Sequence, residues 1–139
     1  MIRSAEEFVR LRRSSDSAEY RRSATDSAAD EVWIEVIERF PDLRKWVAHN
    51  RTISAPIVER LAVDPDEEVR WRIAAKNALA PQVLIELATD PSELVRLRVL
   101  RHRRLPLKAL QTLCGDPVES IRTDAVSRLN ADDQGRPTE

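Results

Sequence analysis

The sequence DPDEEVR at residues 64–70 decides the fold, because it recurs as DPSELVR at 90–96 and as DPVESIR at 116–122. The spacing is 26 residues both times, and the copies align without gaps. A self-similar period of this length is typical of repeat proteins, in which stacked copies bury a shared core. The chain is therefore predicted to consist largely of repeats.

Each 26-residue period is predicted to hold two short helices. Asp64, Asp90 and Asp116 are predicted N-caps, with proline at the first helical position and glutamate three residues after the cap completing a capping box. A second helix is predicted to open near the next proline, with its apolar residues on one face. Further apolar positions keep the same register and are predicted to form the core: Leu61, Leu87 and Leu113; Val69, Val95 and Ile121; Val47, Ile73, Val99 and Ala125.

Composition also favours an all-α fold. The 139 residues include only two glycines, Gly115 and Gly135, whereas sheet proteins need glycine in their turns. The scarcity of glycine also excludes the glycine-rich phosphate-binding loops of Walker and dinucleotide-binding proteins. No apolar run approaches the roughly 18 residues that a membrane-spanning helix needs.

These patterns together predict one all-α domain over residues 1–129. It is a short right-handed α-solenoid of about three 26-residue two-helix repeats with a helical N-terminal cap. The cap is predicted over residues 1–39 and the repeats over 40–129. Residues 130–139, NADDQGRPTE, are polar and contain Gly and Pro, so they are predicted to form a disordered tail.

The two-helix period resembles that of HEAT-like α-solenoids, and the pattern DPxExVR…LPxxxLxxLAxDP resembles the leucine-rich repeat variant subgroup of bacterial proteins. This likeness covers roughly residues 40–128. The segments SAEEFVRLR and VWIEVIERFPDLRKWVAHN are similar to small bacterial solenoid proteins thought to act as immunity partners to secreted toxins. Some members of the variant subgroup carry a cysteine cluster for an iron–sulfur centre, but this chain has one cysteine. The iron–sulfur centre therefore does not carry over to this chain, and the repeat resemblance implies an architecture rather than a function.

A basic run at residues 98–108 is the first candidate binding site. Residues 97–128 hold seven basic and three acidic side chains, and no acid lies between Glu93 and Asp116. The run is not repeated in the preceding copy, and it spans a turn between helices, which gathers its charges at one edge. It is either a solvated loop or a docking patch for an acidic protein surface or a nucleic-acid backbone. Its members are Arg98, Arg101, His102, Arg103, Arg104 and Lys108.

Trp46, Trp71 and Arg72 are the second set of candidates. The two tryptophans fall one position apart in the phase of consecutive copies, and Arg72 follows Trp71. Aromatic and arginine side chains are the usual anchors of protein interfaces. The alternative is that both rings pack between adjacent repeats.

The recurring arginines Arg70, Arg96 and Arg122 have a structural and a functional interpretation. Each follows a glutamate by three residues, so it would form an i,i+3 pair or contact the adjacent repeat. The functional alternative is a ridge that binds phosphate groups.

The sequence contains no recognisable catalytic constellation. Cys114 is in register with Ala62 and Ala88, which predicts a small buried residue rather than a nucleophile. His49 and His102 are 53 residues apart and have no metal-ligand spacing. Capping accounts for the repeated acids. The chain is therefore predicted not to be an enzyme and to bind no cofactor or metal.

The predicted function is non-catalytic protein binding, as in a bacterial immunity-type or adaptor protein. The alternative is nucleic-acid binding through residues 98–108. A formal net charge of −1 and the lack of aromatic residues after Trp71 favour a protein partner. A single cysteine, and Glu6 and Glu7 where a signal peptide would be apolar, predict a cytoplasmic protein with no membrane partner.

Overall fold

A computed structural model describes residues 1–135, and its regular secondary structure is helical apart from one isolated β-bridge between Ile2 and Ala28. The all-α prediction is confirmed. The described residues form ten α-helices and one 3-10 turn, Pro41–Leu43. The α-helices are α1 Ala5–Arg13, α2 Ser17–Thr25, α3 Asp30–Arg39, α4 Arg44–His49, α5 Ala55–Ala62, α6 Glu67–Ala74, α7 Pro81–Leu87, α8 Glu93–Leu100, α9 Leu107–Leu113 and α10 Glu119–Gly135.

The chain divides into two compact units, Met1–Lys76 and a second that begins at Asn77. In the first unit, α1 packs against α2 and α3, while α4 packs against α2, α3 and α6, and α5 packs against α6. In the second unit, α8 and α9 pack against each other and against both α7 and α10. None of the helices in residues 1–135 is long and apolar enough to cross a membrane. The prediction of one solenoid domain over residues 1–129 stays a prediction.

The core of each unit is built from the apolar positions that repeat in the sequence. Leu61 and Ile73 are fully buried in the first unit, as are Val99 and Leu113 in the second. Helices of seven to nine residues are too short to be stable alone, so burial of these faces holds them. Cys114 departs from the prediction, because it is only half-buried at the C-terminal end of α9.

The N-terminal part of the first unit has its own aromatic contact. The Phe8 and Trp33 rings meet edge to face at a centroid distance of 5.2 Å, and both side chains are fully buried. Such ring pairs stabilise a fold by about 0.5–1.5 kcal/mol beyond the free energy gained from burying their apolar area. This contact ties α1 to α3.

The predicted N-caps are wrong by two residues. The α6 helix is capped by Asp66, whose carboxylate accepts from Glu68 N, and α8 is capped by Ser92, whose hydroxyl accepts from Val95 N. The repeated aspartates instead form Asx turns, in which the carboxylate accepts a backbone N–H two residues later at 2.9 Å. Each following helix begins three residues after the aspartate, so the proline lies in the turn rather than at the first helical position. The three turns start at Asp64, Asp90 and Asp116.

A buried ion pair joins consecutive copies within the second unit. Arg96 Nε donates to Asp116 Oδ2 at 2.7 Å and Nη2 donates to Oδ1 at 3.3 Å. Arg96 Nη1 also donates to the Asp90 carbonyl at 2.8 Å, and both charged side chains are nearly inaccessible to solvent. In the first unit Arg44, 52 residues before Arg96, lies 3.6 Å from the carboxylate of Asp64. Arg44 and Arg96, which share a phase of the repeat, therefore each link one copy to the Asx turn of the next.

The end of the chain differs from the sequence prediction. Residues 130–135, predicted to belong to a disordered tail, continue the helix α10, which runs to Gly135. Asn130, Ala131 and Gln134 lie in this stretch, and alanine and glutamine sustain a helix that has already begun. The remaining four predicted tail residues, 136–139, lie outside the described residues.

The assigned core can be tested at Leu87, which is 3% exposed on α7. Leu87→Ala should lower the free energy of unfolding by about 2–5 kcal/mol, because it removes buried methyl groups and leaves a cavity. Glu86→Ala, the exposed neighbour on the same helix, should cost under about 0.5 kcal/mol. Urea denaturation of both variants gives the measurement, and equal losses would contradict the assigned face.

The buried ion pair makes a second prediction. Asp116→Ala should cost about 3–5 kcal/mol, because it leaves the Arg96 guanidinium buried without its carboxylate. Asp116→Asn keeps the acceptor for the Asx turn but loses the charge, so its loss should be intermediate. Asp124→Ala, the same change at an exposed site on α10, is the control and should stay within about 0.5 kcal/mol. If chemical denaturation showed Asp116→Asn to be as stable as the wild type, the Asx turn rather than the ion pair would account for the contribution of Asp116.

Candidate binding surfaces

Most residues of the basic run line an open groove of about 850 Å³ in the second unit. None of the nine described residues that line it is acidic. Arg101, Arg103 and Arg104 are exposed, and Arg98 is half-buried. The exposed Lys108 is not part of the lining. The lining residues are Asn77, Ala78, Leu79, Leu84, Arg98, Arg101, His102, Arg103 and Arg104, and we call the feature the arginine groove.

The loop that carries these arginines is held by a side chain from α10. Arg128 donates through its guanidinium to the carbonyls of Leu100 and His102, and to that of Arg103 at 3.1 Å. Leu100 is the last residue of α8, so its carbonyl has no partner within the helix, and the other two carbonyls lie in the loop that follows. A cation at a helix C-terminus also meets the negative end of the helix dipole. The arginines at 101–104 therefore project from a fixed loop.

His102 has a different environment from its neighbours in the basic run. It is 7% exposed, whereas Arg101, Arg103 and Arg104 are exposed. It lies 26 residues before Arg128 and 26 after Lys76, at equivalent positions of the repeat. These positions hold Lys76, His102 and Arg128, so the residue type is not repeated there.

Two positions of the first unit that are equivalent to Arg128, Lys76 and Asn50, also hold hydrogen-bond donors. Lys76 Nζ donates to the carbonyls of Ala48 at 3.0 Å and Asn50 at 2.7 Å, at the end of α4. Asn50 Nδ2 in turn donates to the carbonyls of Ser23 at 2.9 Å and Asp26 at 3.0 Å, at the end of α2. Burial lowers the pKa of Lys76. Sequence reasoning missed this series because its members share donor chemistry rather than residue type.

A second basic site surrounds Trp46 in the first unit. The Arg12 guanidinium carbon lies 3.8 Å from the Trp46 ring centroid, and that of Arg72 lies 4.5 Å from it. The Lys45 ammonium is 5.7 Å from the centroid, and the His49 ring meets the indole edge-on at 6.0 Å. We call these five side chains the Trp46 cluster. Cation–π contacts of this kind contribute about 0.5–2 kcal/mol each.

The structure thus separates the two tryptophans that the sequence grouped together. Trp46 is half-buried between charged groups of its own unit, whereas Trp71 is 38% exposed. Arg72 is half-buried, stacks on Trp46 and pairs with Glu68 at 3.2 Å. Arg12, Lys45 and His49 complete the cluster without having been predicted. Arg12 lies 34 residues before Trp46, which leaves no local signal for that contact, whereas Lys45 and His49 lie on the same helix as Trp46.

His49 lies in a strongly positive environment. Desolvation of its imidazole is the largest cause that lowers the His49 pKa from its ordinary value of 6.5, followed by the positive charges of Arg72, Arg12, Lys76 and Arg51. No group of three His, Cys, Asp or Glu side chains within residues 1–135 is arranged to hold a metal ion. Burial raises the pKa of the Cys114 thiol, which keeps it protonated and weakly nucleophilic near neutral pH.

The His49 environment predicts a pH dependence of stability. Because folding lowers this pKa, the unfolded chain binds more protons between the folded value and 6.5, so stability should rise with pH through that window. His49→Gln should remove this part of the slope. Urea denaturation from about pH 5 to pH 8 provides the measurement. Arg72→Gln should raise the His49 pKa toward 6.5, because Arg72 is the largest of the charges that lower it, and an unchanged imidazole titration by NMR would contradict this contribution of charge.

Comparison of the chain with protein families, with characterised proteins and with solved structures finds no match. The resemblance to HEAT-like and leucine-rich repeat variant proteins therefore stays an expectation. Function has to be argued from the two basic surfaces themselves.

Proposed function

We propose that this chain is a non-catalytic protein-binding module and that the arginine groove receives an acidic segment of a partner protein. The observation that carries the proposal is the groove itself, about 850 Å³ in volume and lined by four arginines without an acidic residue. An immunity-type or adaptor protein that masks its partner would use such a surface. Arginine forks pair well with carboxylates, which supports this chemistry.

The lining also favours protein over nucleic acid as the ligand. Leu79 and Leu84 supply apolar surface beside the arginines. Partners with alternating acidic and apolar side chains could use both kinds of contact. Single-stranded nucleic acid is usually held by aromatic stacking, and no aromatic residue follows Trp71 in the sequence. The phosphates of a nucleic-acid duplex would contact the arginines, but its charged backbone would make no favourable contact with the leucines.

We further infer that the 26-residue repeats form a short α-solenoid, an architecture commonly used for binding. Residues at equivalent repeat positions make equivalent ion pairs and hydrogen bonds within each unit, which supports the inference. Arg44 pairs with Asp64 as Arg96 pairs with Asp116. Lys76 and Arg128 each satisfy helix-end carbonyls 25–28 residues earlier. Stacked repeats with nearest-neighbour contacts of this kind are the basis of solenoid stability.

The triple variant Arg101→Glu, Arg103→Glu, Arg104→Glu tests the groove. The changes lie at exposed positions, so folding should be nearly unaffected, at about 0.5 kcal/mol or less per site. Binding of a fluorescent peptide of alternating Glu and Leu should fall at least about tenfold, since several charge-assisted contacts are lost. Fluorescence anisotropy at two salt concentrations measures the affinity and its screening.

A matched control reverses Arg13, Arg21 and Arg60, which are exposed in the first unit and change the net charge equally. This control should retain peptide binding. A random-sequence DNA duplex serves as the competing ligand in the same assay. If the wild type prefers the duplex with a steep salt slope, and the groove variant loses that slope, the alternative of nucleic-acid binding replaces the proposal. Unchanged peptide binding by the groove variant would leave residues 101–104 as a solvated loop.

A further inference from the structure

The Trp46 cluster in the first unit has more positive charge than its hydrogen bonds require. Arg12 donates to two neutral oxygens, the Tyr20 hydroxyl at 2.8 Å and the Ser23 hydroxyl at 3.2 Å. Glu68 is the carboxylate that pairs with the cluster, 3.2 Å from Arg72 and 3.6 Å from Lys45. Lys45 and Arg72 thus share one carboxylate, and the hydrogen bonds described for Arg12 go to neutral oxygens.

Two donors in the cluster are also left without a partner. Arg12 Nε and Arg72 Nε are buried and make no hydrogen bond within the described part of the chain. An unpaired buried donor on a charged group is costly, and in a native protein it calls for an explanation such as a bound ion. Both belong to the guanidinium groups that stack on Trp46. The ring holds these groups in place but satisfies none of their N–H donors.

The surroundings of the cluster add to its attraction for anions. Arg51 and Lys76 are close enough to His49 to lower its pKa, as Arg12 and Arg72 also do. Several cations acting on one partly exposed imidazole create a positive potential that an anion would relieve. The side chains come from α1, α4 and the end of α6, which pack within one unit, so the site does not depend on a mobile loop.

We propose that the Trp46 cluster is an anion site that binds a phosphate monoester group, held by Arg12, Lys45 and Arg72 beside His49. A dianion matches the excess positive charge better than a single carboxylate does. Arginine forks recognise phosphate oxygens directly, and lysine adds a point charge. The indole acts as a platform for the two guanidinium groups rather than as a surface for base stacking. The proposal is independent of the arginine groove, which lies in the other unit.

The chain is well suited to a direct test, because it contains only two histidines. The imidazole signals of His49 and His102 can be followed by NMR while inorganic phosphate is added. We expect a saturable shift of the His49 signal at millimolar phosphate, a rise in the His49 pKa when phosphate is bound, and little change at His102. A phosphoserine peptide and its unphosphorylated form are titrated next. Tighter binding of the phosphopeptide than of inorganic phosphate would assign the group to a modified protein, and the reverse order to a free phosphate compound.

Variants in the cluster should shift affinity in opposite directions. Arg12→Gln and Lys45→Gln should each weaken phosphate binding by about tenfold, because each removes a charge-assisted contact. Glu68→Gln should strengthen it by about threefold, because the competing carboxylate is removed from the half-buried Arg72 and Lys45. A merely structural role for these side chains would not produce a gain in affinity. Arg60→Gln, at an exposed arginine of α5 that pairs with Glu38, is the control and should bind as the wild type does.

Three results would overturn the proposal. One is the absence of a saturable His49 shift in the folded wild type at millimolar phosphate. Another is equal weakening by Arg60→Gln, which would indicate general charge screening. The third is a preference for an unrelated DNA duplex over the phosphopeptide, which would point to phosphodiesters instead. The groove variant at residues 101–104 should still bind phosphate at the cluster, so failure of one proposal is distinguishable from failure of the other.

Discussion

Each short helix in this chain ends with backbone carbonyls that have no partner inside the helix, and this constraint organises both units. The last four carbonyls of an α-helix have no partner within it, so in the six-residue α4 most of the backbone carbonyls need a partner from elsewhere. Lys76 satisfies the end of α4, Asn50 the end of α2, and Arg128 the end of α8. Each donor lies roughly one repeat or slightly more after the carbonyls that it satisfies. Stacking thus provides hydrogen-bond partners as well as apolar burial.

The fold class and the core were accessible from sequence because they depend on properties that repeat. Leucine at 61, 87 and 113 is buried each time, since the same helical face returns with the same period. The helix starts were misplaced because Asp-Pro fits both an N-cap with proline at the first position and an Asx turn two residues earlier. Only the backbone path distinguishes them, and it makes Asp66 and Ser92 the caps.

The sites were less accessible because they depend on contacts that do not repeat. The basic run at 98–108 was visible as a local excess of charge, and its arginines do line one groove. The series Asn50, Lys76 and Arg128 was missed because a shared donor function can be filled by Asn, Lys or Arg, which no residue-by-residue alignment of copies would group. Arg12 reaches Trp46 from another helix, and only the folded chain brings the two together.

The structural arginines differ from the candidate functional ones in the groups that contact their guanidinium charge. Arg96 is enclosed by the Asp116 carboxylate and backbone carbonyls, so every contact that its burial demands is made by the chain. Arg12 rests on an aromatic ring and neutral hydroxyls, and Arg101, Arg103 and Arg104 line a groove without acids. The chain has 24 acidic and 23 basic side chains, so carboxylates are not scarce. Among the described residues no acid lines the arginine groove, and Glu68 alone pairs with two cations of the Trp46 cluster, so each surface has positive charge that a ligand from outside the chain would neutralise.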